Sequence, residues 1–137
     1  MSGGGISSAD HPQTLRLLEA PFAICHADLD RPLQLADFEG EFVSIIRTTD
    51  EVTIICPESS VPPWLRAENG WSALVVEAPF ELASAVGVLT ALTAPISAAG
   101  LAIFAVSSWR TDFILVRQDR ILEAIEALRV VGHRVNA

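Results

Sequence analysis

Short apolar runs separated by polar, glycine or proline breaks organise the chain. Leu15–Leu18 and Phe22–His26, parted by Ala20-Pro21, suit two strands or one strand broken at the proline. Pro32–Phe38 supplies only a short helix. Phe42–Thr48 and Val52–Cys56 flank the polar Thr49-Asp50-Glu51 and predict a hairpin. The stretch that follows, with Pro62-Pro63 and Asn69-Gly70, carries the signals of a connecting segment.

Beyond that segment the periodicity changes. Ser72–Glu77 reads as a strand, broken by Pro79, and a helix is predicted over 84–99 with Gly100 as its left-handed cap. Helical spacing puts Val88, Leu89, Leu92, Ile96 and Ala99 on a packed face and Thr90, Thr93 and Ser97 on another. Leu101–Val106 and Phe113–Val116 form a second hairpin around Ser107-Ser108-Trp109-Arg110-Thr111. Asp119 is placed to cap a second helix, with Ile121, Leu122, Ile125 and Leu128 inward and Glu123, Glu126 and Arg129 in water, until Gly132 ends it. An edge strand near His133–Val135 completes β-α-β-β-α-β, the ferredoxin-like split layout of an α+β fold.

The first half reads as a reduced, mostly β copy of that unit, with its hairpin lying about 60 residues ahead of the second and Ile54 matching Ile114 at that offset. The expected organisation is a tail over 1–12, the reduced unit over 13–61, a linker over 62–70 and the complete unit over 71–137.

Composition narrows the function. The chain has 137 residues, half of them hydrophobic, which suffices for a core. Its net charge of -8, with nine scattered basic residues, gives no stripe to neutralise phosphates and argues against nucleic acid and anionic membrane surfaces. Met1–Asp10 lacks the basic and apolar regions of a signal peptide, so the expected location is cytoplasmic. No charge occurs between Leu82 and Trp109, yet Pro95, Gly100 and several hydroxyls interrupt that stretch, and a helix followed by a strand suits it better than a membrane span.

Catalytic signatures are missing from the sequence: there is no Gly-x-Ser-x-Gly elbow, phosphate-binding glycine loop or histidine–glutamate metal motif. Cys25 and His26 are adjacent on a strand and so point to opposite faces, while His11 and His133 join no cluster. Cys25 and Cys56 fit neither a required disulfide nor a zinc site and read as buried thiols. The expectation is a non-enzymatic chain with no catalytic residues, metal or cofactor.

A family resemblance sharpens this. Ser107-Ser108-Trp109-Arg110-Thr111-Asp112-Phe113-Ile114-Leu115-Val116-Arg117, preceded by Leu92-Thr93-Ala94-Pro95-Ile96 and the strand from Gly100 to Val106, resembles the ACT domains of the CASTOR arginine sensors and their bacterial relatives. Leu15-Arg16-Leu17-Leu18-Glu19 and the run from Phe42 to Glu51 resemble their degenerate N-terminal ACT unit. The likeness covers roughly residues 14 to 134.

It implies a regulatory module that binds a free amino acid or similar small ligand between ACT domains. The family's contacting serine and aspartate correspond to Ser107 and Asp112. Sensors of that type place the ligand between two ACT domains of a longer chain, so here an equivalent pocket implies a homodimer.

The chemistry of a free amino acid suggests further contacts. Backbone amides of Ala85, Val86, Gly87 and Val88, at the predicted helix N-terminus, suit a carboxylate. Asp112 suits an ammonium, and Ser107 or Ser108 adds a hydroxyl. Trp109, at the hairpin tip, is a candidate interface residue.

Each of these residues also has a plainer role: Asp112 and the serines as turn formers, Gly87 as a relief of crowding. Two other classes stay open, a protein-interaction module with a vestigial ligand site and a minor enzyme using Cys25 or Cys56.

Overall fold

A computed structural model describes residues 12–77 and 87–137. In chain order its strands and helices are β1 (Thr14–Leu17), β2 (Phe22–Ala27), β3 (Ser44–Arg47), β4 (Val52–Pro57), β5 (Arg66–Val76), α1 (Val88–Ala98), β6 (Phe104–Ser107), β7 (Asp112–Arg117), α2 (Ile121–Val130) and β8 (Arg134–Asn136). Single 3-10 turns occupy Leu35–Asp37, Glu58–Ser60 and Gln118–Arg120. The first of these is all that forms of the short helix expected over 32–38.

The chain divides into two compact units. A helical unit takes the residues up to Leu18 and Ser72–Ala137, and a β unit takes Glu19–Trp71. β1 therefore belongs with the C-terminal elements, although the sequence grouped it with the first half. The expected linker over 62–70 is a turn, with the Leu65 N–H donating to the Pro62 carbonyl, followed by the opening of β5 at Arg66.

In the helical unit the strands lie in the order β6-β7-β5-β1-β8. β1 runs antiparallel to β5, with Leu15 opposite Val76, and parallel to β8, with Leu15 opposite Val135. The expected β-α-β-β-α-β path is present, with β1 inserted between its first and last strands. Alternate strand residues Leu74, Val76, Ile114 and Val116 join one core with Val88, Leu92 and Ile96 of α1 and Ala124, Ile125 and Leu128 of α2. Burying a side chain of this size contributes about 1.5–3 kcal/mol.

The helix faces shift slightly from the reading by periodicity. Leu122, expected inward, is 78% exposed, and Ala99 lies past the end of α1 in solvent. Ala91 and Ala124 are buried inward positions that the periodicity did not single out. Asp119 lies in the 3-10 turn, and the α2 N-terminus at Arg120 has no side-chain cap. A bond from Arg120 to Glu123 one turn later spans that end. The same bond raises the Arg120 pKa and lowers that of Glu123.

α1 carries Pro95 in its interior, so the Ala91 carbonyl cannot receive the N–H of residue 95. The buried ring of His133 serves that carbonyl from Nε2 at 3.0 Å. Its Nδ1 accepts the Gln13 backbone N–H, also at 3.0 Å, which fixes the neutral tautomer protonated on Nε2. One side chain thus ties α1, the start of β1 and the end of α2 together.

The β unit is antiparallel throughout, in the order β3-β4-β2-β5. Its core gathers Cys25, Phe38, Val52, Ile54, Cys56 and Leu65 with smaller neighbours. A bulge interrupts the pairing of β2 with β5 between Phe22 and Ile24. Close by, Gly70 takes a φ of 90° and donates its N–H to Glu58 Oε2 at 2.7 Å. This bulge explains the turn-like Asn69-Gly70 signal inside a continuous strand.

Candidate functional site

In the helical unit β5 and β6 end, and β7 begins, along one rim. Thr111 Oγ1 donates to the Val76 carbonyl at 2.7 Å and holds the end of β5 against the start of β7. Ser107 and Asp112 face each other across the β6–β7 hairpin. The Ser107 hydroxyl donates to Asp112 Oδ1 at 2.6 Å, and Asp112 is only 5% exposed.

Among the described residues no cation pairs with Asp112. A carboxylate this buried ordinarily has a charged partner or several donors. Among the described residues, the Ser107 hydroxyl is the side-chain donor that reaches it.

Ser108 has a turn-forming part. Its hydroxyl donates to the Thr111 carbonyl at 3.0 Å and accepts the Thr111 N–H at 3.2 Å, while its own N–H also reaches that carbonyl. Trp109 at the tip is 80% exposed. Gly87 has a φ of 76°, a left-handed conformation that favours glycine, and leads into α1 at the buried Val88. Ala85 and Val86 lie outside the described residues, as do Pro79, the expected helix start at Ser84, and His11 with the rest of the tail to that point.

The hairpin of the β unit repeats this hairpin register for register. Ser44, Ile45, Ile46 and Arg47 pair with Ile55, Ile54, Thr53 and Val52, as Phe104, Ala105, Val106 and Ser107 pair with Leu115, Ile114, Phe113 and Asp112. The turns match as well. Thr48 Oγ1 donates to the Glu51 carbonyl and accepts the Glu51 N–H, the bonds Ser108 makes with Thr111.

The sequence signal for this was the shared offset of Ile54 and Ile114, but it left the register open. At the places of Ser107 and Asp112 stand Arg47 and Val52. Sequence reasoning assigned neither a role.

Cys25 and Cys56 lie on one face of neighbouring strands, because Cys25 opposes Ile54 and Cys56 opposes Ala23. Both thiols are free and buried. A hydrogen bond between the two thiols, reinforced by burial, pushes the Cys25 thiol far up, and the same hydrogen bond draws Cys56 down against its burial. The high Cys25 pKa and the burial of both suit packing better than nucleophilic chemistry. No group of three or more His, Cys, Asp or Glu side chains suited to a metal occurs among the described residues. No helix among them is long and apolar enough to cross a membrane.

Residues 66–130 match the family model described as an ACT domain, and residues 21–64 match one described as an N-terminal domain. No curated protein matches the chain. Among solved structures, a crystal structure of an Agrobacterium tumefaciens protein is 29% identical, covers 90% of this chain and 92% of that one, and superposes with a TM-score of 0.82. A Vibrio cholerae protein of unknown function, described as a possible transport protein, is 17% identical with a TM-score of 0.68, covering 88% of this chain and 90% of that one. The ligand-free regulatory subunit of aspartate kinase from Thermus thermophilus is 11% identical with a TM-score of 0.59, covering 82% and 93%.

The likeness to CASTOR-type sensors rests on sequence motifs. What this chain adopts is the mixed α+β, ferredoxin-like ACT fold.

Proposed function

We propose that this chain is a non-enzymatic regulatory module that binds a free amino acid, or a ligand of similar chemistry, at the rim built by Ser107 and Asp112 in a homodimer. The observation that carries the reading is the buried Asp112 carboxylate, held by the Ser107 hydroxyl and lacking a cation among the described residues. An ammonium supplies the missing charge. The ligand's carboxylate is met by backbone amides at the start of α1, where Gly87 and Val88 stand after Ala85 and Val86.

The match of residues 66–130 to the ACT-domain model and the aspartate kinase regulatory subunit among similar structures support a regulatory part over a catalytic one. A second copy suits β6, which pairs only with β7 among the described residues. The expected setting is the cytoplasm, with no cofactor or metal.

A thermal-shift screen against the common amino acids tests this directly. A ligand present at about 100 times its Kd stabilises the folded protein by about 2.7 kcal/mol, a rise of several degrees. Asp112→Asn keeps an acceptor for Ser107 but removes the charge, so it is expected to abolish the rise while leaving the unliganded melting point nearly unchanged. A rise that survives this substitution contradicts the assignment.

Trp109 favours a second reading, a protein-interaction module, because an indole 80% exposed at a hairpin tip is a typical binding anchor. That reading is preferred if a stable dimer responds to no amino acid.

A further inference from the structure

The β unit has a groove of its own. Its apolar walls and floor come from Leu29, Leu33 and Leu35 after β2, Ile45 of β3 and Val52 of β4, and Arg31 and Arg47 complete it, enclosing about 580 Å3. No acidic residue lines it. Leu33 and Val52 belong to or pack on the core, while Leu35 is 69% exposed and Leu29 and Ile45 are also exposed. In a chain of net charge -8, two arginines thus line one apolar groove.

Neither arginine enters an ion pair among the described residues. The Arg31 guanidinium carbon lies over the Trp64 ring, 3.9 Å from its centroid. A guanidinium held over an indole by cation–π attraction still carries five N–H donors that can bond a carboxylate. Arg47 stands opposite Val52, in the register position that Ser107 and Asp112 hold in the matching hairpin. The repeat has therefore kept the hairpin and reversed the charge of the group at its rim.

We propose that this groove binds a small monocarboxylate with a branched aliphatic or aromatic tail. The carboxylate bridges Arg31 and Arg47, and the tail lies against Leu33, Ile45 and Val52. A zwitterionic amino acid is disfavoured, because its ammonium meets two arginines and no acidic residue in this lining. The site is thus separate from the Asp112 rim and independent of the function proposed for it.

The test is methyl NMR of the full chain, titrated with 4-methylpentanoate, with leucine and with 4-methylpentanol. These probes share a branched tail and differ in the polar end. Saturable shifts of the Leu33, Ile45 and Val52 methyls are expected with 4-methylpentanoate, with leucine and the alcohol at least about tenfold weaker.

Arg31→Gln and Arg47→Gln are each expected to weaken binding about tenfold, while thermal melts show that both variants stay folded. Asp112→Asn is expected to leave this binding unchanged. The proposal is overturned by the absence of saturable shifts up to about 10 mM, by equal binding of leucine or the alcohol, or by full binding in the double arginine variant.

Discussion

Replacing His133 by alanine is expected to destabilise the helical unit by about 3 kcal/mol, a large share of the roughly 5–15 kcal/mol that a domain has. The loss comes from two backbone groups, one buried and one part-buried. The Ala91 carbonyl loses its Nε2 donor, and the Gln13 N–H loses its acceptor, each bond being 3.0 Å long in the native protein.

Pro95 is the reason the first loss is severe, since residue 95 has no N–H to offer Ala91. In a Pro95→Ala background that N–H returns, and the cost of His133→Ala should fall by about 1 kcal/mol. Urea denaturation of the four proteins of this cycle measures both figures. Additive effects of the two substitutions would separate the histidine from the proline.

Gly40→Ala is expected to cost the β unit about 3 kcal/mol. Gly40 has a φ of 152°, and a Cβ built on it would overlap the Cγ and Cδ atoms of Pro57. That ring is rigid and buried, closing β4 opposite Phe22, so it has little room to yield. The segment is also pinned next door, where the Ser60 hydroxyl donates to the Glu39 carbonyl. Amide exchange at Ile54 and Ile55 of β4 should speed up in this variant in proportion to the lost stability. Unchanged protection would mean that the loop relaxes without strain.

Both effects turn on contacts that a sequence reading reaches poorly. Apolar spacing located both hairpins and both helices, because each is a local pattern with period two or about 3.6. It placed β1 wrongly, since four residues, Thr14–Leu17, choose their partners among strands far along the chain. Pro62-Pro63 and Asn69-Gly70 signalled a linker, but a bulged strand accommodates the second pair. His133 looked idle because its partners, Gln13 and Ala91, are 120 and 42 residues away.

The candidate rim was legible only through family resemblance. Composition offered no reason to prefer Asp112 over the other acidic residues, and its burial and its bond to Ser107 emerge from the hairpin register. Arg31 and Arg47 were invisible as a pair, since one lies in a loop and the other on a strand.

The most direct measurement of the central claim is an amide NMR titration of the full chain with pools of the common amino acids. One amino acid should shift Ser107 through Asp112 and the Gly87–Val88 amides saturably, and Asp112→Asn should remove those shifts. Shifts confined to other surfaces, or none from any amino acid, would contradict the account.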